Sequence, residues 1–472
     1  MIRIYHGLKI VAVVIAFLGV VPGSASAARL QPSDLTYQGA FLLPTTDFFA
    51  ATGELGWPMT SGMTFNPSGN GGAGSIFVIG RGGRVAEINT PTPKLSSLNT
   101  ATVLQSNLDP FAYGAAGQND ATAGIAYMTA RGSQTSPKLY FGSFEYYNVD
   151  VSDYNSLGWA DTTLANTNTA GLWHVGPNTA DQSSWSIGPK HGEYLFSVPQ
   201  TWADAHIQGR SLITGRMREG GNSGGSKGPV LTAVAPWASG NPPAPGVALP
   251  ATPLLSFSGV DWTSWRTLGD PDWTYFSSGD RVTGGAFIDR GGRSAVVLGM
   301  RHGTFDNCPV LPEFGSDGAH GGFCLPTNDP EYGTEPFCYG DGGVECPWGV
   351  TVTNNKGYAN GPYFARLIFI DVADLESVAQ GSRTPQSVSS YAIFDLMTNF
   401  GQPAGTVQDR TGSNDVVGVA YDDTTGKLYV GQSNGNDPNG HPNPAWPVIH
   451  VYQVNTSTDS TPPAAPTSLD VE

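Results

Sequence analysis

One recurring pattern limits what this chain can fold into: a short apolar run ending in an aromatic residue, a polar turn rich in glycine, and a second apolar run ending at glycine. The clearest copy is GVAYDDTTGKLYVG at 418–431. Three further copies read GMTFNPSGNGGAGSIFVIG (62–80), GIAYMTARGSQTSPKLYFG (124–142) and GGAFIDRGGRSAVVLG (284–299). Two apolar runs joined by such a turn are typical of a buried antiparallel hairpin. Each copy therefore predicts a strand, a turn and a second strand.

Hairpins that recur at intervals of one blade predict a radial β array, because one sheet cannot bury both faces alone and neighbouring sheets must stack around an axis. We therefore expect an all-β chain folded as a single β-propeller of four-stranded blades. A fifth hairpin region is expected at 192–237, where EYLFSV, RSLITG and PVLTAVAPW supply strands. Irregular stretches at 151–185, 240–276 and 362–400 leave room for more blades. We expect five to seven blades and favour six or seven.

The remaining regular structure follows from local patterns. The strand at 35–43 and the strand at 448–454 are expected to share one sheet, because propellers commonly close by pairing strands from the two ends of the chain. Short helices are predicted near 199–207 and at 372–379, where VADLESVA has helical spacing and Asp371 can cap the first turn. The 62 glycines and 36 prolines fit a chain of many short strands and turns.

Residues 1–27 have the parts of a signal peptide: Arg3 and Lys9 at a basic start, an apolar run at 10–21, and Ala25-Ser26-Ala27 before a cleavage site. We therefore expect a secreted protein, extracellular or periplasmic, whose propeller occupies 28–455. The apolar run is too short for an ordinary membrane span, and no later stretch reaches the required length. A formal net charge of −16 is expected to repel nucleic acid and anionic membranes.

A long insertion at 303–360 interrupts the propeller after the hairpin at 284–299. It holds all four cysteines, which in an exported chain predict two disulfide bonds: Cys308, Cys324, Cys338 and Cys346. Sequential pairing is favoured over the other two connectivities, and a zinc site is the alternative, although CxxC spacing is missing. Because ordering a long loop costs entropy, we expect the disulfides to hold the insertion as a lid over one face, with a surface knot as the alternative.

Polar residues stand at matching positions before and after the hairpins. The loop before a hairpin and the loop after it lie at the same end of a blade, so these residues are predicted to share one mouth of the axial funnel. The candidate ligand-binding residues are Arg81, Asp120, Glu145, Arg216, Arg218, Asp415 and Asn434, together with Tyr339 from the insertion. The alternative is structural, because Asp before a strand commonly accepts hydrogen bonds from turn amides. Ligand sites favour concave places where polar groups converge.

Arg301 and His302 are the first candidates for catalysis, because the long insertion begins directly after them. Beneath a lid, a neutral His302 imidazole would be able to accept a proton, and Asp280 stands at the same mouth.

A second candidate set is His191, Tyr194 and Arg210. A polysaccharide lyase needs Arg to neutralise a uronate carboxylate, and His or Tyr to exchange protons. The structural alternative is that Tyr194 belongs to the core, because it alternates with Leu195 in an apparent strand.

Aromatic residues are concentrated at 261–276, DWTSWRTLGDPDWTYF, which contains Trp262, Trp265 and Trp273. Aromatic planes stack on the apolar faces of sugars, whereas packing between blades is the structural alternative. The chain has no GxSxG elbow, HExxH helix, P-loop or dinucleotide fingerprint. No cofactor is expected; calcium is kept as an alternative without a specific indication, because the aspartates that resemble calcium ligands lie in turns, where Asp is common without calcium.

Three motifs resemble exported bacterial β-propeller proteins that often carry fibronectin type III modules and whose activity is not established: GMTFNPSGN (62–70), GEYLFSVPQTWAD (192–204) and FIDVADLESVAQG (369–381). The likeness spans most of residues 33–455. It implies the fold and export, and it transfers no catalytic residue. TPPAAPTSLDV at 461–471 resembles the opening of a fibronectin type III module, so 456–472 is expected to be a Ser/Thr/Pro-rich linker or the start of a truncated module.

The sequence thus predicts a secreted, monomeric propeller that binds an extracellular ligand in the axial funnel, with a polysaccharide favoured. The chief alternative is a polysaccharide lyase or glycoside hydrolase acting at the same face. A third hypothesis is a surface adhesion or scaffold protein, which predicts a large exposed apolar patch outside the funnel.

Overall fold

The computed structural model describes residues 27–44, 62–80, 85–107, 111, 121–144, 155–165, 168–176, 192, 194–215, 231–238, 240, 242–256, 281–303, 323–324, 338–339, 363–396, 416–436 and 446–455. At 107, 121–123, 144, 281, 301–303, 323–324, 338–339, 363–364, 433–436 and 446 it describes the backbone alone. Within these ranges nearly all regular structure is β, as the hairpin pattern predicts.

The strands form five blades, each numbered outward from the strand nearest the axis. Blade I is Met63–Asn66, Ser75–Ile79, Val85–Asn89 and Val103–Asn107. Blade II is Ala121–Met128, Lys138–Phe144, Leu157–Asp161 and Thr169–Val175. Blade III is Tyr194–Ser197, Leu212–Gly215, Leu231–Val234 and Ala251–Leu255. Blade IV is Arg281–Arg290, Arg293–Gly303, Tyr363–Ile370 and Ser390–Asp395. Blade V is Val416–Asp422, Lys427–Asn436, Trp446–Val454 and Leu35–Leu42.

Blade V joins the two ends of the described chain. Its outer strand, Leu35–Leu42, runs antiparallel to Trp446–Val454, with Tyr37 opposite Tyr452 and Leu42 opposite Val448. This confirms the prediction that the first and last strong strands share a sheet. The pairing closes the ring through backbone hydrogen bonds and so covers strand edges that would otherwise be open to other chains.

The hydrophobic core is divided into five clusters, one at each boundary between neighbouring blades. One cluster packs Tyr194 and Phe196 of blade III against Phe287 and Ile368 of blade IV. The other four clusters lie between blades IV and V, V and I, II and III, and I and II. Every blade therefore buries both of its faces against a neighbour, and the succession of clusters returns to its start.

The repeated glycines lie where the inner strands approach each other. A Cβ atom on Gly124 would lie 2.7 Å from the backbone of Tyr194 in blade III, and one on Gly284 would lie 2.6 Å from the amide nitrogen of Val419 in blade V. On Gly418 it would lie 2.5 Å from the Met63 side chain in blade I. In three of the four copies, the glycine that opens the sequence pattern is thus required by packing near the axis.

The ring contains five blades, the lower limit of the expected range, and not the six or seven that we favoured. The irregular stretches that left room for further blades contain outer strands of the same five sheets. Residues 151–185 supply the outer pair of blade II, and 362–400 supply the outer pair of blade IV. The insertion separates that last pair from its own hairpin, so the sequence alone did not join them.

Two helices lie in connections between strands, as predicted. Helix α1 (Gln200–His206) follows the inner strand of blade III, and helix α2 (Val372–Ala379) follows the third strand of blade IV. The side chain of Asp371 accepts a hydrogen bond of 3.0 Å from the amide of Ala373, which confirms it as the N-cap of α2. Short 3-10 helices occupy Pro32–Asp34, Asn70–Gly72, Pro236–Ala238 and Pro385–Ser387.

Short strands flank the blades. Ala28–Arg29, directly after the predicted signal peptide, pairs in parallel with the second strand of blade IV. Ala248–Leu249 and Asn99–Thr100 pair in parallel with the outer strands of blades II and V.

Within the insertion the structure describes a two-stranded ladder, Phe323–Cys324 with Cys338–Tyr339. Its register sets Cys324 opposite Cys338. The other residues of the insertion, Cys308 and Cys346 among them, lie outside the described residues, and so do the leader up to Ser26 and the tail from 456 onward. The disulfides, their sequential pairing and the lid stay predictions.

Candidate functional site

The connections between strands divide into two groups by the end of the ring at which they start and finish. The inner strands all begin at one end, where Gly62 N donates to Val417 O (2.8 Å) and Gly124 N donates to Gly192 O (3.0 Å). Because neighbouring strands are antiparallel, the second strands finish at this same end and the fourth strands return to it. We call this end the loop face. The opposite end, where the inner strand turns into the second strand, is the turn face.

Almost all predicted site residues belong to connections that start and finish at the loop face. Those outside the described residues are Arg81, Asp120, Glu145, His191, Arg216, Arg218, Trp262, Trp265, Trp273, Asp280 and Asp415. Four others are described in their backbone alone: Arg301, His302, Tyr339 and Asn434. The prediction that these segments meet at one mouth agrees with the strand order. The positions of their side chains stay a prediction.

The alternative set of His191, Tyr194 and Arg210 is not brought together around Arg210. Tyr194 begins the inner strand of blade III opposite Gly215, at the loop face, and is fully buried. Arg210 precedes the second strand, at the turn face. With a rise of roughly 3.3 Å per residue, about 15 Å separates the two positions along the sheet. Arg210 instead donates from Nη1 to Thr252 Oγ1 at 2.9 Å, and burial lowers its pKa.

Several polar groups beneath the loop face are buried or hydrogen-bonded within the ring, and one of them joins two blades. Thr283 Oγ1 donates to Val416 O across the boundary of blades IV and V at 2.5 Å. Gly192 N donates to Thr214 Oγ1 at 2.8 Å within blade III. Ser143 and Gln432, at the ends of second strands, are each 1% exposed. These groups form a fixed platform on which the loop-face connections begin and end.

Sequence reasoning missed a buried polar chain inside blade V. Tyr37 Oη lies 2.9 Å from His450 Nδ1, and His450 Nε2 lies 2.7 Å from Gln432 Oε1. Burial lowers the pKa of His450 to about 3 and raises that of Tyr37. The sequence contained one indication of this chain: His450 stands in the apolar run VIHVYQV (448–454), in which the residues on either side of it face the opposite side of the sheet.

A groove of about 600 Å³ opens on the perimeter of the ring between blades IV and V. It is lined by Pro32, Ser33, Leu35, Tyr37, Ile393, Phe394, Asp395 and Tyr452. The Tyr452 ring packs edge-on against Phe394 at a centroid distance of 5.7 Å and tilted against Tyr37 at 5.2 Å. No local sequence pattern pointed to this groove, because its residues come from three distant segments.

A second pocket, of about 380 Å³, lies at the turn face between blades II and III. Arg131 lies over the Trp237 ring at 5.3 Å and donates from Nη1 to Ser211 Oγ and to Gln200 Oε1. Burial lowers the pKa of Arg131. The guanidinium also donates from Nη2 to Thr129 Oγ1 of blade II at 3.0 Å. Because it thus contacts both blades, we interpret this pocket as a structural joint.

The described residues contain no group of three or more His, Cys, Asp or Glu that is placed to hold a metal ion. In the same part of the chain, neither helix combines the length and hydrophobicity that crossing a membrane requires.

No protein-family model matches the chain, and no curated protein matches it significantly. Among solved structures, the C-terminal WD40 domain of Sif2 is similar at 9% identity and a TM-score of 0.24, over 83% of this chain and 81% of that one. A chain of a humanized mutant of Chaetomium thermophilum Polycomb Repressive Complex 2, bound to the inhibitor GSK343, is similar at 12% identity and a TM-score of 0.31, over 89% and 97%. The five-bladed fold follows from the strand pairing of the chain itself.

Proposed function

We propose that this protein is a secreted β-propeller that binds a polysaccharide at the loop face. The observation that carries the proposal is the strand order: the two longest connections between strands, 256–280 and 304–362, start and finish at one end of a rigid ring. Binding residues are commonly placed on loops that a rigid scaffold positions. The turn face carries shorter connections; the longest of them, 371–389, contains helix α2.

The residue types in these connections favour a sugar ligand. The segment 257–280, which leads from blade III to blade IV, contains Trp262, Trp265 and Trp273. Arginine, aspartate and asparagine side chains occur in the neighbouring connections. Aromatic rings stack on the apolar face of a pyranose, and charged or amide groups bind its hydroxyls. The net charge of −16 favours a neutral polymer over a strongly acidic one.

Export is part of the proposal. The leader at 1–27 supports it, and so does the position of the first strand, which begins at Ala28, immediately after the predicted cleavage site. The resemblance to exported bacterial propellers that carry fibronectin type III modules is consistent with an extracellular substrate such as a polymer.

The test is a polysaccharide array probed with the protein from Ala28 onward. Retained protein and released sugar are both measured for the wild type, for Trp262→Ala combined with Trp273→Ala, and for His302→Ala. We expect retention without release, lost in the paired tryptophan variant. Leu95→Ala is the control, because Leu95 is 60% exposed and lies between the third and fourth strands of blade I, away from the loop face.

Retention that the paired tryptophan substitution leaves unchanged, or no retention on any polymer, would overturn the proposal. Sugar release that disappears with His302→Ala would replace it by the enzyme hypothesis, with catalysis beneath the insertion. If no glycan is retained, an adhesion or scaffold role becomes the hypothesis to test.

A further inference from the structure

We propose that the perimeter groove between blades IV and V is a second sugar site, one that takes a single neutral pyranose. The proposal extends the polysaccharide function proposed above, on which it rests, to a place outside the loop face. The groove volume of about 600 Å³ has room for one monosaccharide unit together with bound water. Its residues belong to the described part of both blades and of the N-terminal segment.

The first argument is the aromatic composition of the groove. Tyr37, Phe394 and Tyr452 come from three different strands and contact one another through the Tyr452 ring. Tyr37 and Phe394 are only partly buried, although both pack against the core cluster between blades IV and V. Partly exposed rings on a rigid sheet suit the CH face of a pyranose, because they lose little conformational entropy when a ligand is bound.

The second argument is an unsatisfied donor. Tyr452 is fully buried and lines the groove, and among the residues that the structure describes its hydroxyl has no hydrogen-bond partner. Buried hydroxyls are normally paired, so each exception calls for a physical explanation. Because the oxygen is itself buried, a ligand hydroxyl at the base of the groove reaches it only after neighbouring side chains shift; it would then accept this hydrogen bond and remove the cost of the unpaired group. The hydroxyl of Tyr37, by comparison, is already engaged with His450.

The third argument concerns ligand charge. Asp395 lines the same groove, so a ligand carboxylate would meet a carboxylate of the protein. The chain as a whole carries a net charge of −16, which adds to the repulsion. A neutral sugar avoids both effects, and its hydroxyls can donate to carboxylate oxygens. The groove is therefore expected to distinguish a neutral glycoside from a uronic acid of the same ring shape.

The experiment is a saturation-transfer NMR titration of the whole protein with methyl β-glucopyranoside and methyl β-glucuronide. We expect binding of the neutral glycoside and at least about tenfold weaker binding of the acidic one. Tyr452→Phe, which removes only the hydroxyl, is expected to weaken binding about five- to tenfold, the range of one hydrogen bond. Its thermal stability should not fall, because no protein hydrogen bond is lost.

Phe394→Ala tests the aromatic contact and is expected to abolish the signal. Its matched control is Phe65→Ala, since Phe65 is also partly buried and stacks on another blade V tyrosine, Tyr429, at 5.9 Å, outside the groove. Folding of both variants is checked by their unfolding transitions. If neither glycoside binds, or if Tyr452→Phe and Phe394→Ala bind as the wild type does, the groove is not a sugar site.

The two proposals fail separately. If the wild type retains no polymer, but the protein with Trp262→Ala and Trp273→Ala still binds the glycoside in the groove, only the loop-face proposal is overturned. Polymer retention without any glycoside signal removes only the groove.

Discussion

His450 is held in a single tautomer by its two neighbours inside blade V. The side-chain oxygen of Gln432 cannot donate, so the proton must lie on His450 Nε2, and Nδ1 then accepts from the Tyr37 hydroxyl. His450 is 1% exposed and burial lowers its pKa to about 3. The imidazole is thus neutral in the folded protein throughout the physiological range, and it stabilises the fold as a neutral hydrogen-bonding group.

This environment makes stability depend on pH with a defined sign. The unfolded chain binds a proton on His450 below its ordinary pKa of roughly 6.5, whereas the folded chain does not until about 3. The His450 contribution is therefore complete above pH 6.5, and it falls by up to about 1.4 kcal/mol per pH unit between these two values. Urea unfolding of the wild type and of His450→Gln between pH 7 and pH 4 measures this contribution.

Carboxylates titrate in both proteins. The difference between the two slopes of unfolding free energy against pH therefore isolates the contribution of His450. We expect the wild type to lose its stability advantage over His450→Gln as the pH falls. Parallel curves for the two proteins would show that His450 is protonated in the folded state.

At the level of single residues, the sequence predicted which segments share a face, but it did not predict which side chains meet. The phase of Arg81, Asp120 and Asp415 relative to the glycine pattern predicts that they share one end of the ring, and this stays a prediction because all three lie outside the described residues. In contrast, Arg210 follows a turn at the opposite end, which only the register of blade III reveals. The groove around Tyr452 could not be predicted from the sequence either, because it depends on which outer strands become neighbours.

Among the structural elements, the inner strands are the most constrained by sequence. Their glycines pack against the backbone of the next blade, and no side chain fits there: a Cβ on Gly124 would lie 2.7–2.8 Å from three backbone atoms at 192–195. Backbone atoms cannot move aside as a flexible side chain can. The glycine pattern therefore marks the positions where neighbouring blades contact each other. This is why the hairpins could be predicted from the sequence.

Gly124→Ala is accordingly expected to destabilise the protein by about 1–3 kcal/mol or more, the range of overpacking in a core. The matched control is Gly381→Asn. Gly381 follows α2 with a φ of +76° and open space around its Cβ position, and Asn tolerates this conformation. Chemical denaturation of both variants measures the difference. A Gly124→Ala protein as stable as Gly381→Asn would show that the blades move apart at little cost.

The outer strands and short helices show what else local sequence determines. The α2 helix was predicted at its observed bounds because Asp371 caps it and its apolar spacing fits the core. The fourth strands of blades II and IV carry weaker patterns, since each pairs with only one full strand of its own sheet, and the blade II strand pairs in addition with the short edge strand Ala248–Leu249. Their assignment needs long-range pairing, and this is why five blades were counted as six or seven.

At the scale of the whole molecule, the ring has no independent blade. Each of the five core clusters is shared by two blades, so the loss of one blade exposes two clusters. The closing strand, Leu35–Leu42, is the weakest point of connectivity, because only hydrogen bonds and packing join it to the other three strands of blade V. Its anchor is Phe41, which is fully buried and packs edge-on against Tyr429 at 6.5 Å.

Phe41→Ala therefore tests whether the ring unfolds as one unit. Truncating a buried phenylalanine costs about 3–5 kcal/mol, and if closure is cooperative the loss appears in every blade. Hydrogen exchange read by mass spectrometry should show lower protection in the slowest amides of all five blades, not of blade V alone. Gln38→Ala, an exposed change on the same strand, is expected to stay within about 0.5 kcal/mol of the wild type. Faster exchange confined to the closing strand and its sheet would mean that blade V opens locally while the other four blades stay folded.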